Sequence, residues 1–270
     1  MKRFSVFVLV LFLQLHVLGQ TPSLYEKQLF VLNEDTLRCR ILTPLGFSPQ
    51  KKYPLVIFLH GSGERGSDNE LQLTWGADLF ADSLNRVKYQ SVVIFPQCPL
   101  NDSWSNNRRT GVNDSLGGFT ADTAARMKKS MELLMHFIDT LVAHGGIDPG
   151  RIYLGGLSMG GFGAFEALWR RPDLFAAAFP ICGGGAAGKA SVYAKGLPIW
   201  IFHGDADPVV PVSLSRQMRD ALQKTTAKIR YTEYPGVGHD SWKNAFQEKE
   251  LLPWLFSQQK QSPKKKRKSL

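Results

Sequence analysis

Residues 151–163 read RIYLGGLSMGGFG. A short apolar run enters a glycine pair, and Gly156-Leu157-Ser158-Met159-Gly160 follows. Small residues then continue through Gly161, Gly163 and Ala164. The spacing predicts a strand, a sharp turn and a helix start, with the G-x-S-x-G arrangement at the turn. Side chains two positions before and after the serine would strike neighbouring backbone there, so Gly156 and Gly160 fit. Ser158 then projects its hydroxyl from the sheet and is a candidate nucleophile. The Met159 N–H, at the helix start, faces the space where an oxyanion would develop. The plain alternative is a structural glycine–serine turn.

A serine hydroxyl needs an adjacent base. Only His203 and His239 follow Ser158. His239 lies in GVGHD at 236–240, a glycine loop after the last expected strand, and is the candidate base. His203 ends the preceding apolar run, in HGDADP at 203–208, and reads as structural. The acid is Asp207 or Asp205. Pro208 and Pro211 stiffen the chain beyond Asp207, which favours it. Asp205 reads as a hydrogen-bonding residue within its own loop.

Upstream, HGSGERG at 60–66 follows the apolar run LVIFL. Glycines at a strand end permit an inward-facing N–H, so Ser62 is the candidate second oxyanion donor, with Gly63 beside it. His60 supports this loop. Glu64 and Arg65 either pair with neighbouring loops or face substrate.

Buried parallel strands are expected at 55–59, 91–95, 151–154, 175–181 and 199–202, from continuous apolar runs closed by Gly or Pro. An earlier strand is expected at 37–42, and a more polar one, nearer the edge, at 228–234. Helices are expected at 122–142, 160–169, 212–222 and 242–252. The alternation predicts an α/β fold with a mainly parallel central sheet and helices on both faces. No long helical insertion interrupts it, so no large cap domain is expected. One domain spans 20–257.

The net charge of +10 sits at the ends. Lys2, Arg3 and six basic residues between 260 and 268 account for eight of those charges, which leaves the body near neutral. The high pI therefore does not argue for nucleic-acid binding by the body. Residues 1–19 have the order of an export signal: Lys2-Arg3, an apolar run, then Gly19. The mature protein is expected to be secreted or periplasmic. Residues 258–270 read as a basic disordered tail, with weak polyanion or membrane-surface contact as its alternative. The three cysteines, Cys39, Cys98 and Cys182, have no CxxC spacing, so a zinc site is not expected and no metal is assigned. Asn101 and Asn113 are formal glycosylation acceptors.

Taken together, HGSGERG at 60–66, PQCP at 96–99 with Trp104, GGLSMGGFGAF at 155–165, HGDADPVVP at 203–211 and GVGHDSW at 236–242 resemble the α/β-hydrolase superfamily. They are most similar to secreted carboxylesterases related to dienelactone hydrolase, polyhydroxybutyrate depolymerase and feruloyl or acetylxylan esterases. The resemblance implies Ser158 as nucleophile, Asp207 as acid and His239 as base. It implies Ser62 and Met159 as oxyanion donors. The reaction it implies is two-step acyl transfer without a cofactor. Feruloyl, acetyl and short aliphatic esters all remain open, on small or polysaccharide-linked substrates. A serine peptidase of the same fold and a non-catalytic binding protein are the alternatives. Trp104, in the polar loop 98–118, either stacks on substrate or anchors its loop. Trp242 either lines the site mouth or packs at a helix start.

Overall fold

The computed structural model describes residues 24–109 and 119–260. The expected export signal, the Asn113 acceptor and the basic run at 263–268 lie outside them. The strands are β1 (Glu26–Leu32), β2 (Asp35–Leu42), β3 (Tyr53–Leu59), β4 (Val92–Gln97), β5 (Asn107–Arg109), β6 (Phe119–Ala121), β7 (Ile147–Leu157), β8 (Ala177–Ile181), β9 (Pro198–Gly204) and β10 (Lys228–Tyr234). The helices are α1 (Ala77–Ala81), α2 (Ser83–Lys88), α3 (Lys129–Ala143), α4 (Met159–Arg170), α5 (Ala190–Tyr193), α6 (Val212–Gln223), α7 (Trp242–Gln247) and α8 (Leu251–Phe256).

Eight strands form one sheet in the order β1-β2-β4-β3-β7-β8-β9-β10. The β1–β2 and β2–β4 pairs are antiparallel, and every other neighbouring pair is parallel. The apolar runs work as doubly buried strands because alternate residues go to opposite faces. Leu55, Ile57 and Leu59 pack with α3, α4 and α6, while Val56 and Phe58 pack with α1, α7 and α8. β3 is buried at every position. Among the described residues no separate cap domain sits on the sheet. The only insertion there is the β5–β6 hairpin, whose Phe119 stacks on Phe162 of α4 at 5.1 Å. No described helix is long and apolar enough to cross a membrane.

Several elements differ from the sequence expectation. The helix expected from 122 begins only at Lys129. The Asp122 carboxylate accepts from the Ala124 and Ala125 amides at 3.1 and 3.0 Å, a turn that competes with helix. The helix expected over 242–252 is two short helices, and Pro253 stands in the first turn of α8. A missing N–H costs nothing there, because those amides have no helical partner. The edge strand β1 and the β5–β6 hairpin were not anticipated. Residues 258–260, expected to open the free tail, are tied to the body. The Tyr153 hydroxyl donates to the Gln258 carbonyl at 2.7 Å, and Lys260 Nζ donates to the Asp173 and Leu174 carbonyls at 2.9 and 3.0 Å.

Candidate active site

β7 delivers Leu157 to the sheet's carboxyl edge, and α4 departs at Met159. Between them Ser158 has φ 52° and ψ −116°, a left-handed conformation outside the usual regions for a side-chain-bearing residue. Such a residue costs about 1–3 kcal/mol and persists only when its surroundings hold it. The glycines make the turn possible. A Cβ on Gly156 would lie 2.3 Å from the Gly160 carbonyl oxygen, and one on Gly160 would lie 2.0 Å from that of Leu59. The Ser158 N–H donates to the Ile181 carbonyl at the end of β8, which pins the turn to its neighbour.

The loops after β9 and β10 bring Asp207 and His239 to Ser158. His239 Nε2 lies 2.9 Å from Ser158 Oγ, and His239 Nδ1 lies 2.7 Å from Asp207 Oδ2. Nδ1 faces a carboxylate, so it carries the hydrogen, and Nε2 presents its lone pair to the hydroxyl. Asp207 Oδ1 accepts from the Val209 and Val210 amides at 2.8 and 2.9 Å. Burial pushes the Asp207 pKa upward. Hydrogen bonds from His203, His239 and those two amides outweigh it and hold the carboxyl well below the usual range.

His203 does more than its reading as a structural strand end supposed. It is fully buried, and its Nε2 lies 3.2 Å from Asp207 Oδ2 and 2.9 Å from the Val210 carbonyl oxygen. Its Nδ1 lies 2.7 Å from Ser215 Oγ, whose hydroxyl reaches the Gly183 carbonyl at 2.9 Å. One carboxylate oxygen therefore serves two histidines. The i, i+4 spacing of His203 and Asp207 was the only signal in the sequence. Asp205 instead accepts from the Gly236 amide at 2.6 Å and so joins the loops after β9 and β10.

On the opposite side of Ser158, residues 62–64 form one 3-10 turn with Gly61 as its N-cap. A Cβ on Gly61 would stand 3.7 Å from Ser158 Cβ, so this turn borders the serine. Met159, as the first residue of α4, has no intrahelical partner for its N–H. Ser62 and Met159 thus lie on adjoining segments beside Ser158. His60 Nε2 accepts from the Cys98 amide at 3.0 Å, and its Nδ1–H faces the Gly61 carbonyl at 2.6 Å. Burial lowers the His60 pKa to about 4, which suits this neutral tautomer.

Trp104 is not placed to bind substrate. It is wholly buried, its Nε1 donates to the His60 carbonyl at 3.1 Å, and it packs against Gly163. An indole with one N–H and a large apolar surface makes a good anchor for the loop after β4. Trp242 starts α7, as the helix-start reading expects, and meets the His239 ring edge-on at 5.4 Å. Trp75, which no sequence signal singled out, lies 5.6 Å from Trp242. Glu64 is half-buried beside Gly61.

Cys39, Cys98 and Cys182 are all free and buried. Cys182 follows β8, and its sulfur lies with donor atoms of Asp207 and His239 in a group whose members are all within 4.8 Å. These are the described residues best grouped to hold a metal ion. Burial drives the Cys182 thiol pKa up, however, and Asp207 and His239 are engaged with each other.

Residues 47–250 match the family model described as Phospholipase/Carboxylesterase. Acyl-protein thioesterase 1 of Neurospora crassa is 26% identical over 211 residues, covering 69% of this chain and 80% of that protein. A solved thermostable esterase is 38% identical with a TM-score of 0.78. The match covers 89% of this chain and 64% of the esterase, so this chain spans about two thirds of its length. A CE1 ferulic acid esterase from Anaeromyces mucronatus shares the fold at 18% identity, TM-score 0.62, over 87% of this chain and 90% of its own.

Proposed function

This chain belongs to the Phospholipase/Carboxylesterase family of α/β-hydrolases, hydrolases of carboxylic esters, and we propose that it is an exported serine carboxylesterase acting through an acyl-enzyme at Ser158. The observation that carries this reading is the hydrogen-bonded line from Ser158 Oγ through His239 to Asp207, at 2.9 and 2.7 Å. Ser158 attacks the ester carbonyl as His239 Nε2 takes its proton. Asp207 holds the imidazole in the required tautomer and stabilises the imidazolium without taking the proton itself. The Met159 and Ser62 amides receive the oxyanion. His239 then protonates the leaving alcohol, and water repeats the sequence on the acyl-enzyme.

Cys182 is the competing nucleophile, since it shares Asp207 and His239. Three observations favour the serine. The histidine's free nitrogen is directed at Ser158 Oγ, Cys182 is fully buried, and its thiol is held away from the reactive thiolate form. The glycine-lined turn supports the same choice, because it presents residue 158 and no other.

The substrates we propose are feruloyl or acetyl esters attached to plant polysaccharide. Among the described residues only the β5–β6 hairpin is added to the sheet, which suits a polymer-borne ester. Export rests on the order of residues 1–19. The test is release of ferulate from methyl ferulate and of acetate from acetylated xylan, by wild type, S158A and C182A. We expect activity and fluorophosphonate labelling in wild type and C182A, and neither in S158A. Labelling that persists in S158A would refute the nucleophile. Labelling without release of either acid would refute the substrates alone.

A further inference from the structure

The HGSGERG loop carries two charged side chains, and they point in different directions. Arg65 turns outward, with Nε on the Ser62 carbonyl at 3.0 Å and Nη1 on the Leu100 carbonyl at 3.1 Å. Glu64 turns inward. Its Oε2 lies 3.0 Å from the position a Cβ on Gly61 would occupy, and Ser158 Cβ lies 3.7 Å from that same position. This oxygen is shielded from solvent and has no hydrogen-bond partner among the described residues. Burial pushes the carboxyl pKa up, opposed by the Gly61 and Glu64 amides and the Trp75 side chain. Among the described residues no cation pairs with Glu64.

A line of contacts runs from one side of the serine to the other. His239 meets Trp242, Trp242 meets Trp75, Trp75 lies beside Glu64, and Glu64 borders Gly61, which in turn lies next to Ser158. Part of the site wall is therefore aromatic, with one carboxyl set into it. We propose that Glu64 determines charge specificity: the site accepts esters that are neutral or cationic near the scissile bond and rejects those carrying a carboxylate there. The proposal rests on the esterase reading above. An anionic substrate would bring its charge close to Glu64 in a partly desolvated site with no cation between them. At an effective dielectric of about 20, like charges some 6–8 Å apart discriminate by roughly tenfold or more. The same repulsion acts on the reaction's own oxyanion. A ratio between substrates, in which that shared effect cancels, is the informative quantity.

The experiment compares kcat/KM for 4-nitrophenyl butyrate and 4-nitrophenyl hemisuccinate at pH 8, using the full mature chain and E64Q. The two esters share a leaving group and a four-carbon acyl chain and differ by one terminal carboxylate. We expect wild type to favour butyrate strongly, and the preference to fall by about tenfold in E64Q. An unchanged preference in folded E64Q would overturn the proposal, as would a wild type that prefers hemisuccinate. If E64Q does not fold, a third ester with a trimethylammonium group in place of the carboxylate decides from wild type alone. The cationic ester should then be hydrolysed at least as well as butyrate, and the opposite order overturns the proposal. Failure of wild type on all three esters would strike the esterase reading instead.

Discussion

Two carboxyl groups flank Ser158, and their surroundings are opposites. Asp207, on the side of β9 and β10, meets two histidines and two backbone amides, which hold its pKa down. Glu64, on the side of β3, has a buried oxygen without a partner, and burial holds its pKa up. A buried carboxylate is stable as an anion only when donors replace its lost water. Asp207 has them and, in the proposed mechanism, orients His239 as the base. At Glu64 the Gly61 and Glu64 amides and the Trp75 side chain do not outweigh burial, and Oε2 has no hydrogen-bond partner among the described residues. The comparison teaches that position beside Ser158 does not define a carboxyl's task. The donors around it do.

The largest test of this contrast starts from the serine that both groups border. S158A should lower kcat by about 10⁵-fold or more, measured as ester hydrolysis by the folded variant. On the Asp207 side, D207N should cost about 10⁴-fold in kcat, because an amide can hold His239 in the wrong tautomer. A loss under tenfold would mean that His239 does not depend on Asp207, and the contrast with Glu64 would break.

On the loop side, His60 gives a stability signature. Its pKa is depressed from 6.5 to about 4, so the unfolded chain binds the extra proton between those values. The His60 contribution to stability should therefore be undiminished above pH 6.5, fall as pH drops, and level off below pH 4. The full loss is about 3 kcal/mol. Urea midpoints of wild type and H60Q from pH 4 to 7 would measure it, and H60Q should lack the slope. Glu64, with its raised pKa, contributes a slope of opposite sign just above its ordinary value of 4.5. The measurement is best repeated in E64Q. Asp207 does not interfere, since its depressed pKa means that its contribution is lost only as pH falls below the ordinary carboxylate range.

The smallest effect is expected at His203, one of four donors to Asp207. H203Q should lower kcat about tenfold with KM little changed, roughly the worth of one hydrogen bond to a charged group. A change confined to thermal stability would assign His203 to the fold alone.

Much of this was legible in the chain. LVIFL at 55–59 fits a doubly buried strand, and the glycines at 156 and 160 mark a tight turn around Ser158. Lys228–Tyr234 appears as the expected edge strand, because its polar residues need solvent on one side. The failures have a common cause. Trp104 could stack on substrate or anchor a loop, and only the carbonyl of His60, 44 residues away, decides for the anchor. Residues 122–128 carry helical spacing, but a side chain to backbone turn at Asp122 takes the place of the first turn.

Local patterns along the chain determined the buried strands of the sheet, the serine turn, and the loops that hold Asp207 and His239. These follow from hydrophobic period and from steric room at glycine, which neighbours in sequence decide. The tertiary structure alone decided that one oxygen of Asp207 would serve both His203 and His239, that Trp75 would meet Trp242, and that Glu64 would turn inward with its Oε2 unpaired. Hydrogen-bond satisfaction and desolvation depend on groups far apart in the chain, and only the folded sheet brings those groups together.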